Sequence, residues 1–422
     1  WKPIGLDNII EPQDGYDVIS TIDINIQDIA HHALLAQLEH YKAEHGSVIV
    51  METATGEIKA ISNLGRTEKD TYYERLNYAI GESHEPGSTF KLMSLVAAME
   101  DGKLDTGTVV DTEKGIWRIY DRVVRDSRRG GYGEISVGKA FEVSSNTAFA
   151  KMIHENYKND PSEFTDRLRA MGLDKELGMP IKGEGVPVIR SPGEKGWSGI
   201  SLAWMSHGYE VSLTPLQTLA FYNAIANDGE LVRPRLIKEV REWNRTVAHF
   251  DKEVLNPAIC SQETVQKVQQ LLRNVVASPD GTGHGLESPF LSLAGKTGTA
   301  QKNYASRDPD KLGYISTFAG YFPADDPQYS CIVVIHEPDK SVGYYGADVA
   351  GPVFNSVASK ITSNKPVETR LENLAVASSG LDQEYSGYYT LAQQQFEKVP
   401  DLKGMSGCLL YTSDAADDSV LV

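Results

Sequence analysis

Strand-like runs stand at the two ends of this chain with a long, mainly helical text between them, and that spacing limits the folds it can adopt. Near the start, GSVIVME (residues 46–52) and GEIKAIS (56–62) are rich in Val and Ile and flank a Thr53-Ala54-Thr55-Gly56 turn, the pattern of a β-hairpin. Three more runs come late: LAGKTGTAQ (293–301), GYISTFAGYF (313–322) and YSCIVVIHE (329–337). Strands supplied by both ends of one domain predict an α+β fold, with a five-stranded antiparallel sheet covered by helices and a helical lobe inserted between its N- and C-terminal strands. A functional site then falls between sheet and lobe.

Ahead of the first strand, Asp23 can cap a helix whose apolar positions Ile26, Ile29, Ala33, Leu34, Leu38 and Tyr41 recur at three- and four-residue steps. Helix stops are expected at Gly102 and Gly229, an irregular Gly/Arg-rich stretch at residues 125–133, and a closing helix over residues 348–361. The domain is read as residues 15–362, a Ser-, Glu-, Gln- and Tyr-rich linker as 363–398, and the start of a further unit as 399–407. Residues 408–422 (CLLYTSDAADDSVLV) read as translated adapter sequence and are left out of fold reasoning. The chain opens at Trp1 with no Met or signal peptide and is read as an internal fragment, residues 1–14 being a linker remnant.

Composition removes several function classes. A net charge of -17 over 422 residues argues against holding nucleic acid or anionic lipid by counterion release. No run of about 18 apolar residues is present to span a membrane. Cys260, Cys331 and Cys408 are too few and too scattered for a disulfide framework or a zinc site with paired ligands. No metal or organic cofactor is expected.

Three short patterns carry chemistry. In PGSTFKLMSLVAAMEDGKL, Ser88 stands at a helix start and Lys91 falls on the same helical face, so a neutral Lys91 amine can serve as the base a serine nucleophile needs. That demands burial or a nearby positive charge to lower the lysine pKa, and Lys296 can supply the charge. In EVSSNTAFAKM, Ser144, Ser145 and Asn146 interrupt a helical run; Ser144 can relay protons between Lys91 and a leaving amine, and Asn146 can hold a substrate carbonyl or Lys91. In AGKTGTAQ, the glycines let another backbone approach a strand on which Lys296 and Thr297 present a cation and a hydroxyl, which suits a carboxylate. Each pattern has a plainer reading by itself: a helix cap with a surface lysine, a cap of the helix from Thr147 to Tyr157, and a glycine-bearing edge strand.

Taken in order, Ser88-x-x-Lys91, Ser144-x-Asn146 and Lys296-Thr297-Gly298 form the signature set of the penicillin-recognising serine enzymes. Wider stretches, among them GYDVISTIDINIQDIA, GSVIVMETATGEIKAI, SLTPLQTLAFYNAIANDGELVRPRLI and GYYGADVAGPVF, resemble the transpeptidase domain of class B penicillin-binding proteins over roughly residues 15–361. The likeness is to septal enzymes with C-terminal PASTA repeats, and VPDLKGM at 399–405 resembles a PASTA opening.

This resemblance implies a penicillin-binding/β-lactamase-like fold. It also implies acylation of Ser88 by a stem peptide ending in D-Ala-D-Ala, transfer of the acyl group to an amine, and acylation by β-lactams. Lys91 and Ser144 are the implied proton carriers. The Ser88 and Thr299 backbone N–H groups are the implied oxyanion hole. Asn146, Lys296, Thr297, Gly298 and Thr299 are implied to bind substrate. Implied partners are cell-division membrane proteins, at the extracytoplasmic face of a bacterial membrane, with the anchor and a pedestal domain preceding this fragment. A D,D-carboxypeptidase or a β-lactamase shares the three motifs, although no acid motif for a deacylating water is found between Ser144 and Lys296. A non-catalytic penicillin-binding sensor is the third reading. The adjacent His31 and His32 are read as structural, GTGHGL (281–286) as a loop near the active-site strand, and RDSRRGGYG (125–133) as a solvated basic loop.

Overall fold

A computed structural model describes residues 15–364 apart from 305–307 and 309–311. The readings for residues 1–14 and 365–422, which include the PASTA-like start, lie outside the described residues.

Helix α1 (Ile24–Tyr41) begins where the sequence places it. The Asp23 carboxylate accepts the N–H groups of Asn25 at 2.9 Å and Ile26 at 3.2 Å, satisfying donors that a first turn leaves orphaned. Its buried stripe is Ile26, Ala30, Leu34, Leu38 and Tyr41, and complete burial of Leu34 and Leu38 contributes about 1.5–3 kcal/mol each.

The central sheet takes strands from both ends of the domain. Strands β1 (His45–Glu52), β2 (Ile58–Arg66) and β3 (Tyr72–Glu74) come from the first part, and β4 (Ala294–Lys302), β5 (Gly313–Phe322) and β6 (Tyr329–His336) from the last. Their order is β4-β5-β6-β1-β2-β3, antiparallel throughout. The five expected strands are present, and the short β3 extends the sheet to six. It is held by the Glu74 carboxylate, which accepts from the Asn63 N–H at 2.9 Å and the Ser62 hydroxyl at 3.0 Å.

Alternation along β1 and β6 divides the core. Val48, Val50, Val333 and Ile335 face α1 and the closing helix α6 (Gly351–Asn364), whereas Ile49, Met51, Ile332 and Val334 face the inserted lobe. The closing helix starts later than expected because Pro352, which has no N–H, must lie in a first turn; residues Gly346–Val349 form a separate short turn before it.

The lobe is built on α2 (Lys91–Glu100), α3 (Asn146–Tyr157), α4 (Pro215–Ala226) and α5 (Gln262–Ala277). Every residue of α4 is buried, so it runs through the centre of the lobe against the sheet. The lobe holds more strand than its sequence indicates. Hairpins such as Ile116–Ile119 with Arg122–Arg125 pair only with local neighbours and carry too few apolar alternations to be seen. No described helix is long and apolar enough to cross a membrane.

Candidate active site

Ser88 lies in a tight helical turn, Gly87–Phe90, that runs directly into α2. The first eight residues of α2 are buried, so the helix is a core element and carries Lys91 inward with none of its surface exposed. The Lys91 Nζ meets four oxygens: Ser144 O at 2.7 Å, Asn146 Oδ1 at 2.6 Å, and the hydroxyls of Ser88 and Ser144, each at 3.1 Å. The two short contacts are carbonyl oxygens, which only accept. A neutral amine has two N–H groups for them and keeps its lone pair for a hydroxyl, so this pocket can hold the free base as well as the ammonium.

Burial pulls the Lys91 pKa down to about 7, against an opposing pull from the Asp126 carboxylate. The charge expected from Lys296 is not the main cause. Lys296 is itself fully buried and held well below the usual lysine range, by burial first and by the Lys91 charge second.

The Ser144 and Asn146 loop is set by backbone and by a carboxylate. Ser144 adopts a left-handed φ of +57°, which costs a non-glycine residue about 1–2 kcal/mol, and both its carbonyl and its hydroxyl reach Lys91. Ser145, not Ser144, caps α3 by accepting the Ala148 N–H at 3.1 Å. Asp126 then receives the Ser145 hydroxyl at 3.0 Å, the Thr147 N–H at 2.9 Å and the Thr147 hydroxyl at 2.7 Å. Asn146 donates its amide to Arg125 O at 3.0 Å, which aims its Oδ1 at Lys91.

Strand β4 forms the other wall. It is the edge strand, and the Gln301 N–H donates to the Tyr209 hydroxyl at 3.1 Å instead of to a sheet neighbour. Backbone groups of an antiparallel strand alternate, so the Thr299 N–H, two residues earlier, faces the same open side. Ser88 is the second residue of its turn, where N–H groups precede the first helical hydrogen bonds. A Cβ on Gly298 would stand 2.9 Å from Thr89 Cγ2, so glycine lets strand and nucleophile turn touch. Gly208 packs still closer, with φ +86° and a hypothetical Cβ only 2.0 Å from Gly87 O. The Thr299 hydroxyl accepts the Gly346 N–H at 3.0 Å and keeps its own proton to donate. The Thr297 hydroxyl pairs with Thr282 at 2.8 Å, which places the Gly-rich loop beside β4. Lys296 Nζ donates to Thr297 O at 3.1 Å.

The predicted site residues thus come together where the nucleophile turn, the Ser144–Asn146 loop and β4 meet. Asp126 and Tyr209 are the supporting residues that sequence reasoning missed, whereas Thr282 belongs to the GTGHGL loop read as lying near the active-site strand. Only Asp126 left a signal, as a carboxylate inside the basic run at 125–133.

Comparison with known proteins identifies the family of the domain. The family model described as penicillin binding protein transpeptidase domain matches residues 46–359, most of the chain. The chain belongs to that family. Among transpeptidase-domain relatives, a Neisseria flavescens protein named "Probable peptidoglycan D,D-transpeptidase PenA" is 31% identical over 353 residues, 82% of each chain. The Neisseria gonorrhoeae protein of the same name is 30% identical over 357 residues, 82% of this chain and 56% of that protein. The chain therefore spans little more than half the length of the first curated relatives it matches. The transpeptidase-domain fold superposes on the apo TP domain of Burkholderia pseudomallei penicillin-binding protein 3 with a TM-score of 0.70, at 28% identity, covering 84% of this chain and 98% of that one.

Proposed function

We propose that this domain is a serine-type peptidoglycan D,D-transpeptidase that cross-links stem peptides through an acyl-enzyme on Ser88 and is acylated there by β-lactams. The observation that carries the reading is the buried Lys91 amine 3.1 Å from the Ser88 hydroxyl, with burial drawing its pKa down to about 7.

In the proposed reaction Lys91 takes the Ser88 proton while Oγ attacks the carbonyl of the penultimate D-Ala. The oxyanion is held by the N–H groups of Ser88 and Thr299, and a fixed donor of this kind contributes about 3–4 kcal/mol. The peptide bond breaks, the proton passes from Lys91 through the Ser144 hydroxyl to the departing D-Ala amine, and an ester remains on Ser88. An acceptor amine then attacks the ester, a new amide forms, and the amine's proton returns to Ser88 by the same carriers. The Thr297 and Thr299 hydroxyls bind the terminal carboxylate, with the Lys296 side chain beneath the same strand and Gly298 leaving the approach clear. Asn146 fixes Lys91.

Attack by water in place of the amine would make the domain a D,D-carboxypeptidase or a β-lactamase. Incubating the protein with a D-Ala-D-Ala stem peptide and an amine acceptor tests this: a cross-linked product supports the proposal, and D-Ala release without it favours a hydrolase. Release of neither leaves the non-catalytic sensor. A role in division, contact with cell-division membrane proteins, extracytoplasmic location and the PASTA-like reading of residues 399–407 belong to the same proposal.

A further inference from the structure

Three histidines and a glutamate meet at one end of the central sheet, on the face that the lobe covers. His45 opens β1 and stands directly opposite His336, the last residue of β6, so their side chains share a face. Their rings stack with centroids 4.2 Å apart. Glu82, which follows the short helix Tyr78–Gly81, reaches over the pair: one carboxylate oxygen is 2.7 Å from His45 Nε2 and the other 3.9 Å from His336 Nδ1. His84 closes the cluster, its ring packed edge-on against His336 at 5.2 Å.

This corner of the core has the composition of a ligand set. His45 and His336 are only 6% and 3% exposed. The His336 Nδ1 and the His84 Nδ1 are buried and have no hydrogen-bond partner, although buried polar atoms are nearly always paired. One donor atom each from His45, Glu82 and His336 all lie within 4.8 Å of one another. Around a tetrahedral zinc ion, donors about 2.0–2.2 Å from the metal stand roughly 3.3–3.6 Å apart. The spacings here fall on both sides of that value, so seating an ion needs side-chain shifts by His336 and Glu82 toward His45, whose ring is held between His336 and Tyr78. Two imidazoles and one carboxylate suit a borderline transition metal and not calcium or magnesium, which take oxygen ligands.

We propose that His45, Glu82 and His336 form a structural site for a divalent transition metal, best matched by zinc. The ion ties β1 and β6 to the segment that leads, through His84, into the Ser88 turn. It takes no part in acyl transfer, because none of its ligands touches Ser88, Lys91, Ser144 or Asn146. The ligands come from three distant parts of the chain with no short spacing between them, which is why the sequence alone shows no metal motif.

The test uses the whole chain stripped with a chelator and dialysed against zinc. One ion bound per chain, a raised melting temperature, and tetrahedral ligand-field bands with cobalt are expected. His45→Gln and His336→Gln should each weaken binding by about tenfold or more. Glu82→Gln, at a half-buried position, serves if either histidine variant does not fold. His31→Gln should leave binding unchanged. Absence of stoichiometric binding, or binding that survives in all three ligand variants, overturns the proposal.

Discussion

The Lys91 amine lies 3.1 Å from the Ser88 hydroxyl and 2.6 Å from the Asn146 carbonyl oxygen, so the Asn146 amide pins the amine within reach of the nucleophile. Its burial is what makes this useful, since an exposed lysine would stay protonated at neutral pH.

Replacing Lys91 with Met keeps the volume and burial of the side chain while deleting the base. The acylation rate of Ser88 by a fluorescent penicillin should fall by about 10²–10⁴-fold, the usual contribution of a general base. The melting temperature should fall modestly, because the Ser144 carbonyl and the Asn146 Oδ1 lose the donor that satisfies them while the volume is kept. Unchanged acylation would remove Lys91 from the mechanism.

The pH profile follows from the direction of the Lys91 shift. Below about pH 7 the amine is protonated and has no lone pair, so acylation should rise tenfold per pH unit and level off above that value. The groups facing it are Asp126, whose charge raises its pKa, and the buried Lys296 and His207, both held low by burial first and by the Lys91 charge second. Asp126→Asn removes the charge that favours the ammonium, so the midpoint of the profile should move to lower pH. A midpoint that stays fixed, or moves upward, contradicts the electrostatic account.

Close approach at the nucleophile turn gives a third expectation. Gly208→Ala forces a Cβ toward Gly87 O at a left-handed φ and should cost about 2–5 kcal/mol in stability by thermal melting. Gly298→Ala meets the end of the Thr89 side chain at 2.9 Å, Thr317 Cβ at 3.3 Å and Pro86 O at 3.4 Å. Its effect should be smaller on stability, about 1–3 kcal/mol, and larger on acylation, as β4 is pushed off the turn.

Much of this architecture can be read from local pattern. The Asp23 cap, the hairpin turn at Gly56 and the five long strands are short-range signals that the tertiary structure reinforces. Ser88, Lys91, Ser144 and Asn146 were legible because their motifs sit at element boundaries, where backbone geometry aims side chains. What was hidden is long-range. Asp126 reaches the Ser145 loop only because a local hairpin folds back on α3, and Tyr209 meets the Gln301 N–H only when its loop packs beside β4. The left-handed φ of Ser144 leaves no mark in composition, since serine is not a residue that favours it. Of the two causes open for the Lys91 shift, burial is the one the structure favours, and the depth of α2 that decides it is a property of packing and not of local sequence.

The central claim is that Ser88 is the residue acylated, and intact-protein mass spectrometry after exposure to a β-lactam tests it most directly, comparing the unaltered chain with Ser88→Ala. One β-lactam mass added to the unaltered chain, mapped to the peptide containing Ser88 and absent from a folded Ser88→Ala variant, is the predicted result. Equal covalent labelling of the variant, or a folded unaltered chain that takes no label, would contradict it.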